Sequence, residues 1–404
     1  MPRFMSIEEP RHGRAARFSL FEYGFRVFFL LAGLYAALGV ALWLPVFLGV
    51  LPLPVAVSAT LWHAHEMIYG FAAAGVAGFF LTAVPNWTGA PARRGAPLMA
   101  LAAIWLLARI AMLAMAWVPL WLPAALDLAF LPALAAAIAG PLWRSGAKRN
   151  LVLLAVLAAL WAADLAMHLD FLGVAPDAGS RAARVGIDVL LLLITVIGGR
   201  IVPAFTTNAL RAVDPALVAR SFAPLDRATV LAMALLAASE AATGLGPVTG
   251  TIALVAAVLS AIRLSFWRGA RTLGSPILSV LHLGCGWLVL GLALKGASAF
   301  MEAVPEAAAL HALTAGAIAT MLVAVMSRAA LGHTGRPLKA HPATVSAYAL
   351  ISLAAALRVA APFLPQVFVP LLETAAAAWT LAFLLFLAVY APILTAPRAD
   401  GRPG

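Results

Sequence analysis

The densest group of metal- and proton-binding side chains in this 404-residue chain is His63, His65 and Glu66. They open residues 62–89, WHAHEMIYGFAAAGVAGFFLTAVPNWTG, an otherwise apolar stretch about as long as one bilayer crossing. Polar groups of this kind are costly in hydrocarbon, so each is a functional candidate whose partner has to be found. On a helix His63 and His65 point about 200° apart, at 100° per residue. The pair therefore serves two centres, one on each side of the helix, rather than one. Glu66 lies a turn below His63 and Tyr69 a turn below His65. We expect His63 with Glu66 to form a metal or proton site, with Glu66, Tyr69 and Asp164 as candidate catalytic groups. Taken singly, either histidine is equally explained by a carbonyl, headgroup or water partner near the interface.

Other candidates are scattered along the chain. His311 starts a later apolar run. With His65 it can supply bis-imidazole ligation to a haem held between facing helices, and Arg109 can meet a propionate or Glu66. No CxxCH motif is present, so such a haem is non-covalent and b-type. His282 and Cys285 share a helical face and suit a buried copper or haem iron, or simple packing. Asp164 and His168, one turn apart, suit a proton relay or a carboxylate orienting a ligating imidazole. The metal candidates are thus His63, His65, His311, His282 and His168. Asp127, Asp188 and Glu240 must pair or face water. Arg200 and Asn208 line a polar funnel, or Arg200 extends to the headgroups. The single cysteine excludes an internal disulfide.

These groups have to be positioned by membrane helices. The chain is 64% hydrophobic and 11% charged, more apolar surface than a soluble domain of this size can bury. Apolar runs fall near 26–50, 59–84, 97–117, 119–142, 150–172, 183–204, 226–245, 248–266, 274–297, 306–331, 342–363 and 367–395, about twelve spans in all. The fold class predicted is an all-α, multi-pass membrane protein. A basic arm covers 1–25, a transmembrane domain 26–397 and a short tail 398–404. No cleavable signal peptide is evident. Lys and Arg crowd alternate loops, at Arg93/Arg94, Arg144/Lys148/Arg149, Arg211/Arg220/Arg227, Arg268/Arg271 and Arg336/Lys339. Loop charge therefore places both termini in the cytoplasm, and His63, His65, His311 and His168 toward the outer side. The net charge of +11 belongs to this loop pattern and not to nucleic-acid binding. Trp43, Trp62, Trp87, Trp121 and Trp143 fall near span ends, as an aromatic belt requires.

An internal echo links two spans. Gly70 follows His65 by five residues and Thr88-Gly89-Ala90-Pro91 closes that span; Gly316 and Thr334-Gly335-Arg336-Pro337 follow His311 in the same register. VPAFT at 202–206 also echoes VPNWT at 84–88. Spans two, six and ten are then equivalent, in three units of four helices.

The strings at 62–71, 80–89, 197–210, 281–292 and 311–338 (WHAHEMIYGF, FLTAVPNWTG, IGGRIVPAFTTNAL, LHLGCGWLVLGL, HALTAGAIATMLVAVMSRAALGHTGRPL) resemble the NnrS family, and the similarity runs from residue 21 onward. Cys285 stands where the family is often aromatic. The resemblance implies a bacterial inner-membrane protein of about twelve helices linked to denitrification and nitric-oxide stress, with haem and also copper; it carries no ligand set. More distantly, the three four-helix arcs resemble the catalytic subunit of haem–copper oxidases and nitric-oxide reductases. Here, however, the H-x-H lies on span two rather than ten, and no histidines stand where the oxidase copper would be held.

The function expected is a haem-binding membrane protein, with copper as a second cofactor, that acts on or protects against nitric oxide. Turnover would require a quinol or cytochrome electron donor and protons through Glu66, Asp164 or Glu240. Whether it is an enzyme stays open. The rivals are a secondary transporter of a metal or nitric-oxide-derived iron complex, and a non-catalytic nitric-oxide scavenger. Membrane lipid is the one partner that composition itself requires.

Overall fold

The computed structural model of the protein describes residues 19–52, 56–146 and 150–402. Most of the basic arm, residues 53–55 and 147–149 (with Lys148 and Arg149) and the last two residues of the tail lie outside the described residues.

The described chain is helical throughout. We number the helices α1 (Gly24–Phe47), α2 (Ala59–Thr88), α3 (Ala96–Leu113), α4 (Trp121–Arg144), α5 (Val152–Phe171), α6 (Ala178–Arg211), α7 (Ala223–Thr243), α8 (Pro247–Ser265), α9 (Pro276–Ser298), α10 (Glu306–His333), α11 (Pro342–Phe363) and α12 (Pro365–Thr395). Eleven are long and apolar enough to cross a bilayer; α7 is not among them. It carries Asp226, Arg227 and Glu240, and it packs between α6 and α8 as a twelfth member of the bundle.

Successive helices are neighbours through much of the bundle, and α12 packs against α1 to close it. Burial separates an inner set from an outer one. Within their apolar 18-residue stretches, 89%, 72% and 67% of the residues of α2, α10 and α6 are buried, whereas the same share in every other span lies between 33% and 56%. The two spans predicted to be equivalent, and the third tied to them by a shorter string, are thus the interior of the molecule. They meet along an apolar seam where Gly75 and Val76, Ile194 and Ile197, and Met321 and Val325 face one another.

The interior echo is also conformational. α2 widens to a π-helix over Glu66–Ala72, directly after His65, and α10 does so over Ala312–Ile318, directly after His311. Such wide turns are rare and collect at functional sites. Gly70 and Gly316 sit inside them, where an added Cβ would run into the Tyr35 ring and the Trp287 ring respectively. Both helices then end alike. The hydroxyls of Thr88 and Thr334 donate to Val84 O (2.8 Å) and Ala330 O (2.6 Å), and Gly89 and Gly335 take φ of 69° and 70°. That left-handed conformation is one glycine adopts without steric cost.

The two chain ends meet. Ser19 N–H donates to Thr395 O at 2.8 Å, and the buried Arg26 donates to Leu394 O and Ala396 O at 2.9 and 2.7 Å. The Arg94 loop joins them through Tyr23 OH at 2.7 Å, and Arg398 reaches His333 O at 2.7 Å. Several arginine-bearing loops therefore gather at one end of the bundle. Away from it, the carboxylates that had to find partners have done so. Lys295 lies 2.7 Å from Asp188 and 3.1 Å from Glu240, and Arg184 lies 2.7 Å from Glu240. Of the tryptophans, Trp121 and Trp143 are exposed as a belt requires. Trp43 and Trp62 are buried and donate to helix carbonyls instead.

Candidate functional site

The H-x-H of α2 faces two different places. His63 lines a cavity of about 360 Å³ between α1, α2, α6, α10, α11 and α12. His65 points the other way, into a polar cluster walled by α3, α4 and α5. The α-helical turn Ala59–His65 dictates this divergence before the π segment begins.

The cavity is apolar apart from His63, His311, Arg358 and the hydroxyls of Thr60 and Thr314. Its size is typical of small-molecule and cofactor pockets. His63 stacks on Trp43, ring centroids 4.3 Å apart, and has no hydrogen bond among the described residues. The Nδ1 of His311 lies 2.7 Å from Ala307 O, so that nitrogen carries the proton and donates it. The Nε2 lone pair accepts from Arg358 at 2.8 Å, so a ligated metal would take the place of that contact. The other guanidinium nitrogen of Arg358, Nη1, is buried without a partner. The apolar space continues from this cavity into the central seam through Ala72, Leu190 and Ile318, which line both.

The polar cluster is wholly buried. His65 Nε2 lies 2.9 Å from Asp127 Oδ2 and 3.1 Å from Asp164 Oδ1; His168 Nε2 lies 3.1 and 3.7 Å from the same two oxygens. Behind them His65 Nδ1 contacts Glu66 Oε1 at 2.9 Å, and Arg109 bridges Glu66 (2.5 Å) and Asp127. Tyr35 donates to the other oxygen of Glu66. Tyr69 donates to Leu160 O at 3.2 Å and packs on His65. Local structure places these groups. Asp127 sits at the end of the Trp121–Leu128 segment of α4, where the Leu128 carbonyl leaves the helix and accepts from Trp161 Nε1. Asp164 and His168 share one face of α5. Trp105 Nε1 donates to Gly70 O within the wide turn of α2.

The sequence-level candidates are thus redistributed. His65 and His311 do not line a common space; His63 and His311 do. Glu66 belongs with His65, because its carboxylate turns to Arg109 and Tyr35 rather than to His63. Asp164 and His168, predicted as a pair, lie beside His65. His282 Nε2 contacts the Thr206 hydroxyl at 2.9 Å, while Cys285 borders a small separate cavity with Arg263. Arg200 is exposed and donates to Asn150 Oδ1 at 3.0 Å. Sequence reading passed over Tyr35 and Arg358. Both are lone polar groups on apolar helices, and that same signal singled out Arg109.

A family model described as NnrS protein matches residues 19–398. The chain belongs to the NnrS family. The match covers the entire bundle, α1 through α12, so both sites lie within the family's defining region. No curated protein matches the chain. The NnrS family member described here is a multi-pass membrane protein by its helices.

Proposed function

We propose that the protein binds a b-type haem in the cavity between α2 and α10 and uses it to bind nitric oxide within a bacterial inner membrane, as part of a nitric-oxide response. The observation that carries this reading is that His63 and His311, with Arg358, line one largely apolar cavity. The donor set fits haem. His311 has its Nδ1 proton engaged by Ala307 O, the arrangement that fixes a ligating imidazole and leaves Nε2 for iron. A cationic donor, Arg358, lies 2.8 Å from that lone pair, and its unpartnered Nη1 suits a propionate carboxylate. Haem iron, when bound, supplies a centre that coordinates nitric oxide directly. The chain's own residues then divide the labour. His311 anchors. His63, stacked on Trp43, would be the second imidazole facing the group. The seam lined by Ile194, Met321 and Val325 excludes water and admits a small apolar ligand arriving through the bilayer.

Purified protein should give a b-type pyridine haemochrome and a Soret band that shifts with nitric oxide. His63→Ala and His311→Ala should each lose or alter that spectrum while the protein keeps its elution volume in detergent. A colourless preparation that still protects cells against nitric oxide, or both variants with the wild-type spectrum, would overturn the reading.

A further inference from the structure

The cluster around His65 plays no part in that haem reading. We propose that His65, Asp127, Asp164 and His168 form a binding site for one divalent first-row transition cation, separate from the cavity.

Geometry argues for it first. Each of the four residues offers a ligand atom, and these atoms all lie within 4.8 Å of one another. A tetrahedral ion with ligands at about 2.0–2.1 Å has ligand–ligand edges of roughly 3.3–3.4 Å. The four imidazole-to-carboxylate edges here are 2.9, 3.1, 3.1 and 3.7 Å. They scatter about that value, as the edges of a slightly collapsed tetrahedron would.

Proton placement argues for it next. The His65 Nδ1 faces Glu66 Oε1, an acceptor, so Nδ1 bears the hydrogen. The His65 Nε2 lone pair then points at two carboxylate oxygens that also bear lone pairs. Such a contact needs a cation between the partners. Charge adds a reason. With all three carboxylates ionised, Glu66, Asp127 and Asp164 would face the single guanidinium of Arg109 among wholly buried side chains. Protons on both imidazoles or one divalent ion would neutralise the two unbalanced charges, and the ion alone also engages all four facing ligand atoms at once. Leaving such charge unpaired in a low-dielectric interior is strongly destabilising.

The surroundings are those of a metal centre. Glu66 orients His65 through its Nδ1 proton, and Arg109 holds Asp127 by Oδ1, which leaves Oδ2 for the ion. Two imidazoles and two carboxylates, with no sulfur, suit zinc, manganese or oxidised copper rather than cuprous copper. The bound ion would tie α2, α4 and α5 together on the face of α2 opposite the cavity.

The test uses cobalt(II) as the probe. Full-length protein in detergent is stripped with a chelator and titrated with Co²⁺; uptake is read by elemental analysis and Co K-edge absorption, and haem is measured in the same samples. We expect one tightly held equivalent with nitrogen and oxygen neighbours only. Asp164→Asn should abolish uptake, and Glu66→Gln should weaken it about 10–100-fold, as for a group that orients a ligand. Stripped wild-type protein that keeps its elution profile but takes up no Co²⁺ would overturn the proposal. So would an Asp164→Asn, His168→Ala double variant that binds as wild type. Haem content reports separately on the cavity, so failure at one site is distinguishable from failure at the other.

Discussion

Arg358 and Lys295 show how single buried cations organise this molecule. Arg358 caps the one nitrogen of His311 that is available to a ligand, and it keeps a second nitrogen unpartnered inside the bundle. Arg358→Gln should lower haem retention without abolishing it, since the two imidazoles remain; haem per protein after detergent washing measures this. Lys295 has the opposite character. Both of its carboxylate partners, Asp188 and Glu240, are fully buried and the ammonium is consumed between them. Lys295→Met strands Asp188, while Glu240 keeps Arg184, and should cost roughly 3–5 kcal/mol, read as a lower unfolding midpoint in detergent. Combining it with Asp188→Asn should recover part of that loss, because the stranded charge is then removed.

Among the helices, the paired π segments carry the most information. They occupy equivalent registers in α2 and α10, each just after a histidine and each built around a glycine. At Gly316 an added Cβ would come within 2.7 Å of the Trp287 ring. Gly316→Ala should therefore destabilise by about 1–3 kcal/mol through overpacking, measurable as a lower thermal midpoint. Gly70→Ala should do the same against Tyr35, and should also displace the hydroxyl that donates to Glu66. The shared helix ends, Thr88-Gly89 and Thr334-Gly335, extend the same local geometry to the far ends of α2 and α10. α6 shares their buried position and the VPAFT string. Its Thr206 meets His282, but it carries no π segment.

Across the whole molecule the three most buried helices form an axis around which the other nine are arranged. Two sites flank α2, back to back, with one histidine of the H-x-H in each. Because they share no side chain, their losses should be independent. His63→Ala should lose haem and keep cobalt uptake, and Asp164→Asn should do the reverse; uptake and haem content measured on the two variants and their combination check this. The arrangement also bears on the transporter alternative. Inverted repeats would run the paired helices in opposite directions. Here His63 and His311, each near the N-terminal end of its helix, line one cavity, so α2 and α10 enter from the same side.

The chain's own residues were sufficient to specify a bundle of membrane helices and their approximate limits, because burial in lipid requires about 20 apolar residues per crossing; of the twelve runs read as spans, the one at 226–245 became α7, which does not qualify as a crossing. They also specified the kinship of α2 and α10, which rests on matching residue types at matching spacing, and the divergence of His63 from His65, which follows from 100° per residue. They marked Glu66, Arg109, Asp127, Asp164 and His168 as groups in need of partners. What they could not specify is which partner each one finds. His65 meets Asp164 across 99 positions and His311 meets Arg358 across 47. Such meetings depend on how the helices pack, and the small, apolar residues that set that packing look alike along every span. Equivalent register made His65 the counterpart of His311. Equivalent residues in a pseudosymmetric bundle occupy equivalent faces and need not face one another, so it is His63, two residues away and on the other side of α2, that shares a cavity with His311.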